Sequence, residues 1–265
     1  MIDGVADFSA DAYVGLSYQY IYQGVAQRSD DAVARLGLSL QQRDGWFLDT
    51  WGGRTDTSRY DGGSNEEGGT SNYYAGSDYA SRYSHDNDDP LSRQWEWDFN
   101  AGYSDAIGDQ WQWALSHAWI ERQQDDEPNQ NYQEWRANLF FRDSMSLLLS
   151  YSDDYRHTGW SAFTAEWGLL LPMGAYVDFD AGAGWVDGIG GRDNYYGYGW
   201  LGLSGELTGD KRSSAAQGKI FGPLQWRVRC YHSGSAADKV LGEDRAGTQW
   251  EILFAIPLHL LSISK

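Results

Sequence analysis

The 265-residue sequence has no run of about 18 apolar residues, the length a helix needs to cross a bilayer, so a membrane-spanning helix is excluded. Basic residues are scarce: 20 Lys and Arg stand against 38 Asp and Glu, a formal charge of −18. A surplus of that sign is repelled by phosphate backbones and no basic stretch offsets it, which makes nucleic acid a poor partner. The single cysteine, Cys230, cannot form an internal disulfide. It leaves the compartment open, because a large scaffold does without bridges even when exported. Methionine and proline are sparse as well, at 3 and 5 residues. Low mean hydropathy with high net charge is one signature of disorder, but disordered chains are also poor in aromatics.

This chain is rich in them. It carries 14 Trp, 18 Tyr and 9 Phe beside 32 Gly, where a helical domain would lean on Leu, Ala and Met. Rings and glycines in that ratio suit strands whose faces carry the rings and whose backbones approach closely, so the reading is all-β. Its length fits one domain over residues 1–265.

A period of two runs through the sequence. Over 94–104, Trp95, Trp97, Phe99, Ala101 and Tyr103 alternate with Gln94, Glu96, Asp98, Asn100, Gly102 and Ser104, which puts the rings on one face and the polar groups on the other. After the turn signal at 107–110, Trp111, Trp113 and Leu115 continue the apolar face. Val14, Leu16, Tyr18 and Tyr20 read the same way, as do Leu36, Leu38 and Leu40. So do Trp135 to Phe141, Met145 to Tyr151, Phe163 to Leu169, Val177 to Trp185, Leu224 to Cys230 and Trp250 to Ile256. Residues 46–55 form a less cleanly phased strand, and 195–207 a glycine-rich one whose facing the pattern leaves open.

That makes twelve candidate strands, and the links between them alternate in length. Long or acidic links at 23–30, 56–92, 123–131, 153–159, 187–194 and 233–247 are interleaved with short turns. Even strand number, long loops at one end and tight turns at the other predict an antiparallel up-and-down transmembrane β-barrel, with extracellular loops and periplasmic turns. Closure follows from the solvent: hydrocarbon offers no partner to an edge N–H or C=O, so every edge must be paired. A secreted β-sandwich shares the alternation but seldom alternates its loop lengths so regularly. No basic start precedes an apolar run at residues 1–10, so the expectation is an exported, mature form in the bacterial outer membrane.

The segment Tyr18-Gln19-Tyr20-Ile21-Tyr22-Gln23-Gly24-Val25-Ala26-Gln27 resembles the opening of the TorF family of porins, in which an aromatic-x-aromatic-x-Gly-hydrophobic-small-Gln pattern ends the first strand. Tyr20, Tyr22, Gly24 and Gln27 carry that match. Residues 44–52 are similar to the family's Gly-aromatic third strand, and 97–104 with 107–109 to its fourth strand and turn. Two departures stand out: the link 56–92 is longer than the family's, and Ser262-Ile263-Ser264-Lys265 stops short of a terminal ring. The resemblance implies an outer-membrane channel of unassigned substrate.

If rings face lipid, the opposite faces line a lumen. Carboxylates at Asp49, Glu96, Asp98, Glu134, Glu166, Asp178, Asp180 and Glu251 then share it with guanidinium groups at Arg35, Arg136, Arg227 and Arg229. Facing arrays of opposite sign set up a transverse field that orders ions and small polar solutes, and the excess of acids favours cations. The bland reading is that the charges pair and fill the interior. Gly182, Gly184, Gly197, Gly199 and Gly202 either widen the bore or accommodate bulky neighbours.

The loop 56–92, with Tyr60, Tyr73, Tyr74, Tyr79 and Tyr83, reads as a constriction or a partner-binding lid, or else as a plain surface loop. The clustered oxygens of Asp86, Asn87, Asp88 and Asp89 suit Ca2+ or a divalent bridge to lipopolysaccharide phosphates, but without EF-hand spacing they read rather as a solvated acidic stretch, so neither a metal nor a cofactor is expected. The expected partners are membrane lipid, lipopolysaccharide, small solutes and an envelope protein. Two rival functions stay open. One is a non-conducting scaffold. The other is a lipid hydrolase using His232 with Ser233 or Ser235, His157 beside Thr158, or His117, none of which has the spacing of a catalytic motif.

Overall fold

The computed structural model describes residues 8–19, 21–23, 25–26, 32–55, 94–123, 131–155, 160–188, 195–207, 222–234, 237 and 247–263. Its strands are β1 (Phe8–Tyr18), β2 (Ile21–Tyr22), β3 (Val25–Ala26), β4 (Ala32–Gln42), β5 (Trp46–Thr55), β6 (Gln94–Ile107), β7 (Trp111–Gln123), β8 (Tyr132–Phe141), β9 (Met145–Ser152), β10 (Ala162–Pro172), β11 (Val177–Asp187), β12 (Tyr195–Glu206), β13 (Gln225–Ser233) and β14 (Gly247–Ile263). Twelve of them close into an antiparallel barrel in sequence order, β1 pairing with both β4 and β14. Closure leaves no edge strand, as a sheet bathed in hydrocarbon requires.

Register fixes two faces. Pairs such as Leu38 with Thr50, Phe99 with Trp119 and Leu139 with Leu147 point outward, and the outer wall is correspondingly exposed at Trp46 (61%), Trp135 (58%) and Leu201 (62%). A soluble barrel would hide such residues in its interior; here most of the tryptophans and leucines on the barrel strands are outside and most of the charges inside.

The outward rings gather toward the strand ends. Near the short turns, Trp46 packs edge-on against Tyr103 at 5.4 Å, Tyr103 against Trp113 at 5.9 Å, and Trp111 against Phe141 at 4.8 Å. Near the long links, Trp185 lies 6.4 Å from Tyr195, and Trp135 close to the start of β8 packs at 4.7 Å on His117, midway along β7. Two aromatic belts separated by aliphatic wall match the two interfaces of a bilayer. The β4–β5 turn is held by Gly45 N–H to Gln42 O at 3.0 Å, and Gly45 sits at φ +100, where a Cβ would lie 2.2 Å from Ser104 O.

One strand boundary departs from the sequence expectation. The alternation predicts β1 running on through Tyr20 with the family-like pattern at its end, whereas β1 stops at Tyr18 and Gln19 turns into the left-handed region at φ 56. The chain then forms the small β2–β3 hairpin, which pairs Ile21 with Ala26 and Tyr22 with Val25 and is not part of the barrel wall. Ile21 is buried, in one cluster with Ala118, Ile120, Tyr132, Tyr155 and Tyr196. An apolar side chain that finds cover inside the barrel gains more than one that extends β1 beyond its partners. Tyr20, Gly24 and Gln27 lie outside the described residues, as do the loop 56–92, the acidic stretch 86–89, His157, Thr158 and Ser235.

Candidate functional site: the charged interior

By register, Arg35, Asp49, Glu96, Asp98, Glu134, Arg136, Glu166, Asp178, Asp180, Arg227, Arg229 and Glu251 all occupy inward positions. They form two networks and several local contacts. In the first network, Glu251 on β14 receives Arg35 Nη2 at 3.5 Å and Arg227 Nη2 at 3.1 Å. Next to it, Arg229 Nε donates to Asp180 Oδ2 at 2.6 Å and Arg229 Nη1 to the Tyr231 hydroxyl at 3.0 Å. Trp200 Nε1 holds the other Asp180 oxygen at 2.8 Å, with the Arg229 guanidinium 5.3 Å from the Trp200 ring centre. In the second network, Arg122 Nε meets Glu96 Oε2 at 2.5 Å, and Arg136 meets Glu134 at 2.9 Å. Trp51 Nε1 donates to Asp98 Oδ2 at 2.9 Å. Elsewhere Ser39 Oγ donates to Asp49 at 2.6 Å and the Tyr198 hydroxyl to Glu166 at 2.5 Å. Asp178 lies opposite Pro172 and Ser204.

Several interior residues escaped the sequence reading. Arg122 was hidden because its strand carries Ala118 and Ile120 on the inner face, which breaks the rule of apolar residues outside. Tyr196, Tyr198, Trp200 and Tyr231 also point inward, so the facing of 195–207 that the pattern left open is rings in and Gly197, Gly199 and Leu201 out. Gly182 and Gly184 accommodate these rings: a Cβ at Gly182 would lie 2.2 Å from Trp200 Cζ2, and one at Gly184 2.2 Å from Tyr198 Cζ. The glycine-rich inner wall is therefore occupied by aromatic side chains lying along it, not open bore. Gly182→Ala, whose new methyl also meets Trp167 O at 2.4 Å, is expected to lower barrel stability by about 1–3 kcal/mol, measured as a shift of the denaturant midpoint in micelles.

The β2–β3 hairpin reaches into this interior. Tyr22 Oη donates to Glu134 Oε1 at 2.8 Å, and burial together with that carboxylate holds the phenol well above its ordinary pKa, so it stays a donor. The Gln23 amide is held from both ends, Nε2 to Thr164 Oγ1 at 3.1 Å and Oε1 by the Tyr155 hydroxyl, while the Tyr196 hydroxyl donates to Gln23 O at 3.2 Å. Glu134 is on β8 and Thr164 on β10, the strands flanking β9, which lies six places round the barrel from β1. The segment that leaves β1 thus anchors on the opposite wall. The sequence offers 56–92 as a constriction, a partner-binding lid or a plain surface loop, and that stretch lies outside the described residues; among the described residues, it is the first link that crosses the bore.

Of the hydrolase pairs, the one that lies within the described residues, His232 with Ser233, fails on facing. His232 points outward, with Nδ1 3.3 Å from Thr248 Oγ1, while Ser233 points inward and is buried, so the two cannot form a dyad. His117 packs on Trp135 and shares a hydrogen bond with Gln133 at 3.1 Å, the surroundings of a belt residue. Among the described residues no group of three His, Cys, Asp or Glu is placed to hold a metal.

No family model matches the chain, and no curated protein does. Solved structures do. The KdgM porin superposes with a TM-score of 0.48 at 9% identity, covering 95% of this chain and 99% of that one. The NanC porin gives 0.48 at 8% identity over 95% and 100%, and an outer membrane channel from Pseudomonas putida F1 gives 0.41 at 10% identity over 97% and 96%. The likeness is one of barrel architecture.

Proposed function

We propose that this chain is an outer-membrane channel for small polar or ionic solutes. The long links face the exterior, hydrocarbon and lipopolysaccharide contact the ringed wall, and the β2–β3 hairpin narrows the outer mouth. The observation that carries this reading is the inverted polarity of a closed barrel, with rings exposed outside and carboxylates and guanidinium groups inside. A charged interior is costly in a structure that merely needs to be filled, and useful in one that must replace an ion's hydration shell. The inward acids are spread over β5 to β11, whereas Arg35, Arg227 and Arg229 cluster around Glu251 on β14. Solutes passing between these arrays experience a transverse field, and the excess of carboxylates favours cations. Assignment to the TorF family rests on the 18–27 pattern, and a docking role for the loop 56–92 toward an envelope partner belongs to the same proposal.

Planar-bilayer recording tests it. Discrete, cation-preferring current steps are the expected result. Asp178→Asn, which leaves the Arg229–Asp180–Trp200 contacts in place, is expected to lower the cation-to-anion permeability ratio roughly twofold, read as a reversal potential moving toward zero in a salt gradient. An unchanged reversal potential would remove Asp178 from the ion path. The latched hairpin also favours a second reading, a scaffold barrel that passes nothing; silence from folded protein, persisting after the hairpin is removed, selects it.

A further inference from the structure

Gln23 sits in a seat that the opposite wall builds for an amide. Thr164 on β10 and Tyr196 on β12 stand in one cross-strand row, with the buried Val186 of β11 between them. Tyr155 lies just beyond the end of β9. Thr164 Oγ1 accepts from Gln23 Nε2 at 3.1 Å, the Tyr155 hydroxyl donates to Gln23 Oε1, and the Tyr196 hydroxyl donates to Gln23 O at 3.2 Å. Both ends of a carboxamide and a peptide carbonyl are matched at once, by residues no more than 2% exposed. The occupant is held without strand pairing, since β2 and β3 pair only with each other.

The seat also holds a polar atom that the hairpin leaves unused. Ser152 is the inward residue of β9 opposite Ala162 and diagonal to Thr164. It therefore lies between Thr164, which holds Gln23, and Glu134, which holds Tyr22. Ser152 is 2% exposed, and its Oγ has no hydrogen-bond partner among the described residues. A buried hydroxyl in that state is costly, so a molecule that reaches it gains a contact Gln23 lacks. Diagonal neighbours on one face are about 7–8 Å apart, within the span of one small solute.

The chemistry of the seat selects its ligand. A carboxamide is neutral and carries a donor beside an acceptor. A guanidinium has no acceptor for the Tyr155 hydroxyl. A carboxylate would be buried close to Glu134 and would have to share Arg136, the cation that Glu134 already holds.

We infer that this seat is a binding site for solutes bearing a side-chain carboxamide beside an acyl-amide, such as short glutamine-containing peptides, and that the chain's own Gln23 fills it as a self-ligand. The inference rests on the channel reading only for the route by which the solute arrives; binding itself needs no current.

The experiment uses the full chain refolded in micelles with 3-fluorotyrosine, the Tyr155 and Tyr196 resonances being assigned with their Phe variants. N-acetylglutaminamide is the probe, and the same compound with a side-chain carboxylate is the control. In a variant whose residues 21–26 are replaced by Gly and Ser, the probe is expected to shift both 19F resonances saturably, and the control to require at least about tenfold more. Thr164→Val in that background is expected to raise the half-saturation point roughly fivefold. In the parent chain that point is expected to lie at least about tenfold higher than in the linker variant, because only the fraction with the hairpin released can bind. Gln23→Ala keeps the hairpin and empties its amide place; it should bind between these limits and carries the test if the linker variant does not fold. No saturable shift, equal half-saturation in parent and linker variant, or equal binding of probe and control would overturn the proposal. Current steps in bilayers without a shift would remove the site and leave the channel, whereas a saturable shift with silent bilayers would do the reverse.

Discussion

A variant in which residues 21–26 are replaced by Gly and Ser is expected to conduct at least about threefold more current per channel than the parent chain. The reason is placement: Tyr22 and Gln23 fasten to Glu134, Thr164 and Tyr155 across the barrel from β1, and to Tyr196 on β12 a quarter of the way round, so the segment bridges the bore. A Gly and Ser linker keeps the connection between β1 and β4 but has neither the apolar Ile21 to bury nor an amide to latch. Gln23→Ala is the milder form. It removes the side-chain contacts to Thr164, Tyr155 and the neighbouring Tyr22 while leaving the backbone bond from Tyr196, and it is expected to convert a steady low conductance into flickering between two levels, as each lost hydrogen bond withdraws about 1 kcal/mol from the latched state. Single-channel traces with identical current in parent and linker variant would show that the hairpin does not limit flow.

Arg122→Met is expected to be the most destabilising single substitution in the interior, at about 3–5 kcal/mol. Arg122 and Glu96 are each 3% exposed at the side chain and 2.5 Å apart, so truncating the guanidinium strands a carboxylate beside Asp98 on the same inward face of β6. The Arg122 guanidinium also lies 5.5 Å from the Tyr132 ring centre, a contact that Met retains only as packing. The double variant Arg122→Met, Glu96→Leu should recover most of the loss, because well-packed apolar residues replace a buried pair at little cost. Denaturant unfolding in micelles, followed by tryptophan emission, gives both numbers; a single variant as stable as the parent would mean that water reaches this pair.

The barrel was legible because lipid and lumen impose a strict period of two, and residues 94–104 display it without exception. Loop lengths supplied the direction of the strands, and the inward positions of the charged residues followed from the same phase. What resisted reading has one physical cause, a polarity rule with two sides. A residue facing lipid must be apolar, but a residue facing the interior is free to be anything that packs. Ala118, Ile120, Tyr198 and Trp200 are inside because β2–β3 and the glycine wall of β11 give them surfaces to cover. The hairpin itself was invisible: Tyr18, Tyr20 and Tyr22 keep the alternation of a strand, and nothing local announces the left-handed turns at Gln19 and Gln23. Its anchors, Glu134, Thr164 and Tyr196, are distant in sequence, so only the closed barrel brings them together.

The direct test of the account is quenching of tryptophan emission by bromine-labelled acyl chains in proteoliposomes. Apart from Trp160, which precedes β10, all the tryptophans lie on barrel strands, and of these only Trp51 and Trp200 point inward. The account predicts that brominated lipid extinguishes most of the emission, leaving a residue that disappears when Trp51 and Trp200 are replaced by Phe. Emission indifferent to the bromines, from protein that stays folded and monomeric in plain buffer, would contradict it.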